Sequence, residues 1–247
     1  MITKNQHIAN LKKSDKWIDY IKKHSGLPGK RANLELLKLI IELGNEKTFE
    51  ECLNFDETIA PTNTEGEFVA MCGVAGLGKL VNDGELEKFD LLKQFASDNR
   101  WRVREAVAIA IQVIGENNFS TLIKEITNWK NGNPYEKRAI VAGLCEPKLL
   151  KERKNAEKVI EIISEIINSI EYIPNKKSEP FRVLRKGLGY GLSVAIVAYP
   201  EKGKLIFERL ITKTDKDIRW ILNENLKKKR LERMDKNWTN KMKNACA

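Results

Sequence analysis

The stretch "SDNRWRVREAVAIAIQVIG" (97–115) sets three arginines and a tryptophan within five positions and then turns almost wholly apolar. Ser97 and Asp98 are residue types that cap a helix by accepting from its first unpaired amides. From Val103 onward apolar side chains return at three- and four-residue spacing, the period of one buried helix face. The stretch therefore reads as a capped helix whose polar start holds Arg100, Arg102 and Arg104. Whether these arginines grip an acidic partner or serve the fold depends on what the rest of the chain repeats.

The same period recurs on both sides. Segments 5–24, 29–44, 46–55, 67–82, 85–96, 101–115, 119–130, 135–150, 152–171, 180–198, 201–213 and 217–234 each carry it. Short breakers separate them, among them "SGLPG" (25–29), "APTNTEG" (60–66), "NGNP" (131–134) and "IPNKKSEP" (173–180). Asn133 before Pro134 is a further cap, with the proline suited to a first turn. Alternating strand patterns of any length are absent, so the class is all-α.

Arginines near the start of alternate helices share a register. Arg104, Arg138, Arg185 and Arg219 are spaced by 34, 47 and 34 residues, the long step reflecting the long segment 152–171. Three positions after each stand Val107, Val141, Leu188 and Leu222, and seven after each stand Ile111, Cys145, Leu192 and Leu226. Ala70, Gly73 and Leu77 occupy the matching places further upstream. Gly73, Ala108, Ala142 and Gly189 sit just behind these positions, where small residues let stacked helices approach closely. A recurring helical hairpin implies an α-solenoid of five or six hairpins.

"DNRWRVREAVAIAI" resembles the second helix of a HEAT repeat, with its D-x-x-x-x-V-R-x-x-A-x-x-A-L pattern, and "DKDIRWILNENL" (215–226) is similar. The likeness is best over 85–115 and 201–231. It implies a 1–60 helical cap, a HEAT-like array over 61–238 and a 239–247 tail. In HEAT repeats an aspartate in the turn between helices bonds the arginine that follows, forming a ladder between repeats. The resemblance thus gives Asp98 and Arg104 a structural role, and with them Arg138, Arg185 and Arg219, with Glu179 a possible counterpart for Arg185. Arg100 and Arg102 lie outside that ladder and are expected to remain available for a partner.

The 44 Lys and Arg against 34 Asp and Glu give a net charge of +10, which favours acidic partners. The expected contacts are Arg100, Trp101, Arg102, Lys137, Arg182, Lys186, Trp220 and the run Lys227, Lys228, Lys229 and Arg230. On the inner face of a solenoid such cations would follow a phosphate backbone, with a tryptophan offered to a sugar or an unpaired base. The alternative for the aromatics is that Trp101 staples a helix start and Trp220 fills core. For Lys227–Arg230 it is a solvated helix end, where positive charge suits the dipole. A second resemblance, of "DIRWILNENL" (217–226) to the HEAT-like DNA alkylation-repair glycosylases, implies an enzyme that acts on alkylated purines, with Trp220 facing the damaged nucleotide. No matching tryptophan and aspartate stand mid-chain, so a non-catalytic binding module ranks first, its partner nucleic acid (DNA favoured) or an acidic protein.

Four dispersed cysteines and two histidines near the N-terminus offer no metal site, and neither a metal nor a cofactor is expected. "GVAGLGK" (73–79) has the look of a phosphate loop but falls within a helical pattern, and "GLGYG" (187–191) reads as tight helix packing. No run of eighteen apolar residues occurs, so a cytoplasmic monomer away from membranes is expected.

Overall fold

Asparagine, serine, threonine and aspartate side chains open most of the helices. Thr3, Asn33, Asn45, Thr64, Asn133, Ser178 and Asp215 each accept from a first-turn amide of the helix that follows. These caps and the apolar period between them produce a chain of helices without strands among the described residues, 2–14 and 16–246, of the computed structural model. The all-α class is thus what the chain adopts. The chain divides into two units, the first ending at Asn118 and the second beginning at Phe119.

In the first unit α1 (Lys4–Lys13), α2 (Trp17–His24), α3 (Leu34–Leu43), α4 (Glu46–Leu53), α5 (Glu65–Asn82), α6 (Lys88–Phe95) and the start of α7 (Trp101–Ile126) are built around α5. Every residue of α5 from Gly66 to Val81 except Lys79 is buried, with α2, α3, α4 and α6 packed on it. Gly76 permits this: a Cβ there would stand 2.2 Å from the Phe49 ring of α4. The glycines of "GVAGLGK" therefore serve helix packing. Asn82 Nδ2 donates to the Val113 carbonyl at 3.0 Å and ties the end of α5 to α7.

In the second unit α8 (Pro134–Leu144), α9 (Arg153–Ser169), α10 (Glu179–Ala198), α11 (Pro200–Leu210), α12 (Lys216–Leu226), α13 (Lys229–Met234) and α14 (Lys236–Cys246) follow the end of α7. α10 lies between α8 and α12, and α9 and α11 pack against it as well. Buried Asn225 joins α12 to α10: its Nδ2 donates to the Leu188 carbonyl at 2.9 Å, and its Oδ1 accepts from Ser193 N at 2.7 Å.

Several boundaries differ from expectation, each for a local reason. Segment 5–24 is two helices, and 217–234 divides into α12 and α13 at the turn of Lys227 and Lys228. Segments 101–115 and 119–130 are two helices as expected, parted at Asn118 (φ −143°, ψ 74°), and the label α7 covers both. The expected tail is helical through Cys246, because Trp238, Thr239 and Met242 are buried where α14 meets α12 and α13; Ala247 lies outside the described residues. One stretch, Trp101–Asn131, is long and apolar enough to cross a membrane; within the first unit its Val103, Val107, Ile111 and Ile114 are core.

Candidate nucleic-acid interface

The arginines expected to reach a partner are inside the first unit. Arg100 is 2% exposed. Its Nε and Nη2 donate to the Asp98 carboxylate at 3.0 and 2.8 Å, and Nη1 donates to the carbonyls of Phe55 and Ala60 at 2.8 and 3.1 Å. Arg102 is 5% exposed, with Nη1 on Glu67 Oε2 at 3.0 Å and Nη2 on the Gly29 carbonyl at 2.9 Å. A buried guanidinium is costly unless acceptors meet its donors, and here carboxylates and carbonyls of the protein itself do so. The expectation that Arg100 and Arg102 remain available is therefore corrected. Trp101 between them is 47% exposed, with the Arg102 guanidinium 4.4 Å from its ring centroid.

The four arginines of the shared register meet different partners. Arg104 Nη1 donates to the backbone carbonyls of Asp98 and Asn99 at 2.6 and 2.9 Å, while the Asp98 carboxylate takes Arg100. Arg185 on α10 donates to Asp217 Oδ1 on α12 at 2.5 Å, and its guanidinium lies 4.4 Å from the Trp220 ring centroid. Arg138 runs along α8 against Gly187 of α10. Arg219 places its charge near the Cys246 thiol of α14. Lys137 is buried and donates to Ser169 Oγ at 3.0 Å, and burial pushes its pKa down, so it too is withdrawn from the surface.

The remaining expected contacts come together in the second unit. On α10, Phe181, Leu184, Leu188, Leu192 and Ala195 form the buried face, which leaves Arg182, Lys186 and Tyr190, spaced by four residues, exposed together. Tyr190 is 53% exposed. Gly191 brings α10 close to α8, since a Cβ there would stand 2.8 Å from Val141 and 2.9 Å from the Cys145 sulfur. Leu231, buried, anchors α13 so that the Arg230 guanidinium covers Tyr190 at 4.3 Å from the ring centroid, with Lys228 Nζ at 5.8 Å. Tyr190 was missed by the sequence reading, which took "GLGYG" as packing only; its place four residues after Lys186 was the available signal.

The charge of this face is uncompensated. Among the described residues Arg182, Lys186, Lys228, Lys229 and Arg230 make no ion pair, while Lys227 is held by Glu224 at 2.5 Å. Elsewhere in the second unit Lys176, Lys202, Lys204 and Lys213 are each paired with a carboxylate. Cys145, beside Arg230, has its thiol pKa pushed up to about 12 by burial, against the pull of the Arg230 charge, and so carries no thiolate near neutral pH. The described residues contain no group of three or more His, Cys, Asp or Glu able to hold a metal ion. No family model, curated protein or solved structure matches the chain.

Proposed function

We propose that the second unit is a short stack of HEAT-like hairpins, part of an α-solenoid, and that it acts as a non-catalytic binding module for nucleic acid, with DNA the favoured form. The observation that carries this is the row Arg182, Lys186 and Tyr190, flanked by Lys228, Lys229 and Arg230, in which no cation has a carboxylate partner among the described residues. Unpaired surface cations exchange their counterions for phosphates, a gain that falls as salt rises. An exposed tyrosine among them offers a flat face to a sugar or base. Stacking of α10 between α8 and α12 supports the hairpin array, and the Arg185–Asp217 bond supplies the inter-helix rung that such an array uses.

The test is affinity for double-stranded DNA, single-stranded DNA and RNA across a salt series. Arg182→Ala with Lys186→Ala should weaken binding about equally for unrelated sequences and flatten the salt slope by about one per lost phosphate contact. No binding at low salt overturns the reading in favour of an acidic protein partner. Release of alkylated purines, lost in Trp220→Ala, would put the glycosylase first.

A further inference from the structure

We infer that the groove beside Tyr190 is a subsite for one unstacked nucleotide of a single strand, a proposal that rests on the nucleic-acid reading above. A cavity of about 470 Å³ opens between residues 142–150 and the C-terminal half of α10, within the range of small-molecule sites. Its walls are chiefly Ala142, Pro147, Leu150, Val194 and Val197, and Tyr190 and Arg230 also line it. Tyr190 and Val197 leave apolar surface in water at the same place. The groove is therefore apolar enough for a base, and it shares Tyr190 and Arg230 with the cationic row.

Two polar groups fix which ligand suits it. Arg230 Nη1 is buried with no hydrogen-bond acceptor among the described residues, an arrangement that an anionic oxygen would complete. Glu146 is the one carboxylate in the lining, and no ion pair joins it to Arg230. It gives an acceptor for the exocyclic amine of cytosine, adenine or guanine and repels phosphate from its own end. A nucleotide with its phosphate on Arg230 and its base edge toward Glu146 matches both charges, whereas an aliphatic carboxylate would leave Glu146 unanswered. A paired base is held in its duplex and cannot enter, so the groove selects single strands.

The test compares a mixed-sequence single strand with a duplex of equal length on the full chain. Single strand should bind about tenfold more tightly, and Val197→Trp, which fills the rim, should remove that advantage while leaving duplex affinity within about twofold. As a readout independent of that variant's folding, dCMP alone should shift the resonances of Val194, Val197 and Tyr190 in the unaltered protein. Equal affinity for both forms, or no shift with dCMP, overturns the subsite while the salt-dependent duplex binding of the parent reading persists. Absence of binding to any nucleic acid overturns both.

Discussion

The two carboxylate oxygens of Asp98 clasp the guanidinium of Arg100, at 3.0 Å to Nε and 2.8 Å to Nη2, while Oδ1 also accepts from the Arg100 amide at 2.7 Å. The remaining nitrogen, Nη1, reaches two carbonyls within the α4–α5 connection, those of Phe55 and Ala60. Arg100 thus fastens a loop to the start of α7. Breaking one side of a buried, hydrogen-bonded charge leaves the other side unpaired, which costs more than the intact pair contributes.

Arg100→Ala is accordingly expected to destabilise the protein by about 3 kcal/mol in chemical denaturation. The salt slope of nucleic-acid binding should not move, unlike that of Arg182→Ala. A stable Arg100→Ala protein with weakened binding would return this arginine to the interface.

Arg185 and Asp217 join α10 to α12, and the aspartate is nearly inaccessible while the arginine is partly exposed. A double-mutant cycle with Arg185→Ala and Asp217→Asn should give a coupling of about 1 kcal/mol. Additive single effects would show that the bond does not hold the two helices together.

At Gly76 a methyl group would stand 2.2 Å from the Phe49 ring, which is itself wholly buried. Gly76→Ala should lower stability by about 2 kcal/mol despite the better helix propensity of alanine. Gly84, whose Cβ position meets nothing within 4 Å but whose φ is +113°, gives a contrasting case in which backbone strain alone opposes the substitution. An unchanged melting temperature for Gly76→Ala would refute the close approach of α4 and α5.

His24 lies against the Tyr20 ring, and Tyr20 in turn meets His7 Nδ1 at 2.7 Å. Burial, with smaller effects of His7 and Lys23, holds the His24 pKa below its ordinary 6.5. The unfolded chain then binds the proton more readily than the folded one. The His24 contribution is present above 6.5 and is lost as pH falls below it toward the folded value. Melting temperature should therefore drop on acidification from about pH 7.5 to about pH 5.5, and His24→Gln should reduce that drop. The same drop in the variant would assign it to other groups.

What the sequence determined by itself was the local part. Apolar spacing and the cap at Asn133 specify helices because their interactions span only a few residues along the chain, whereas the caps at Thr64, Ser178 and Asp215 were not read from it. Helix ends at 13–17 and 226–229 were less legible, since a short break leaves the apolar period almost intact. The α14 helix escaped notice because its burial depends on a surface made by α12 and α13. The fate of each cation was decided only by the tertiary structure. Arg100, Arg102, Arg182 and Arg230 are chemically alike in the sequence. Arg100 is clasped by Asp98 two residues before it and enclosed by carbonyls 40 and 45 residues away, Arg102 meets a carboxylate 35 and a carbonyl 73 residues away, and among the described residues Arg182 makes no ion pair while Arg230 meets Tyr190. Apart from the local clasp of Asp98 on Arg100, whether a charged side chain is enclosed depends on groups brought to it by packing, and no spacing along a helix records them.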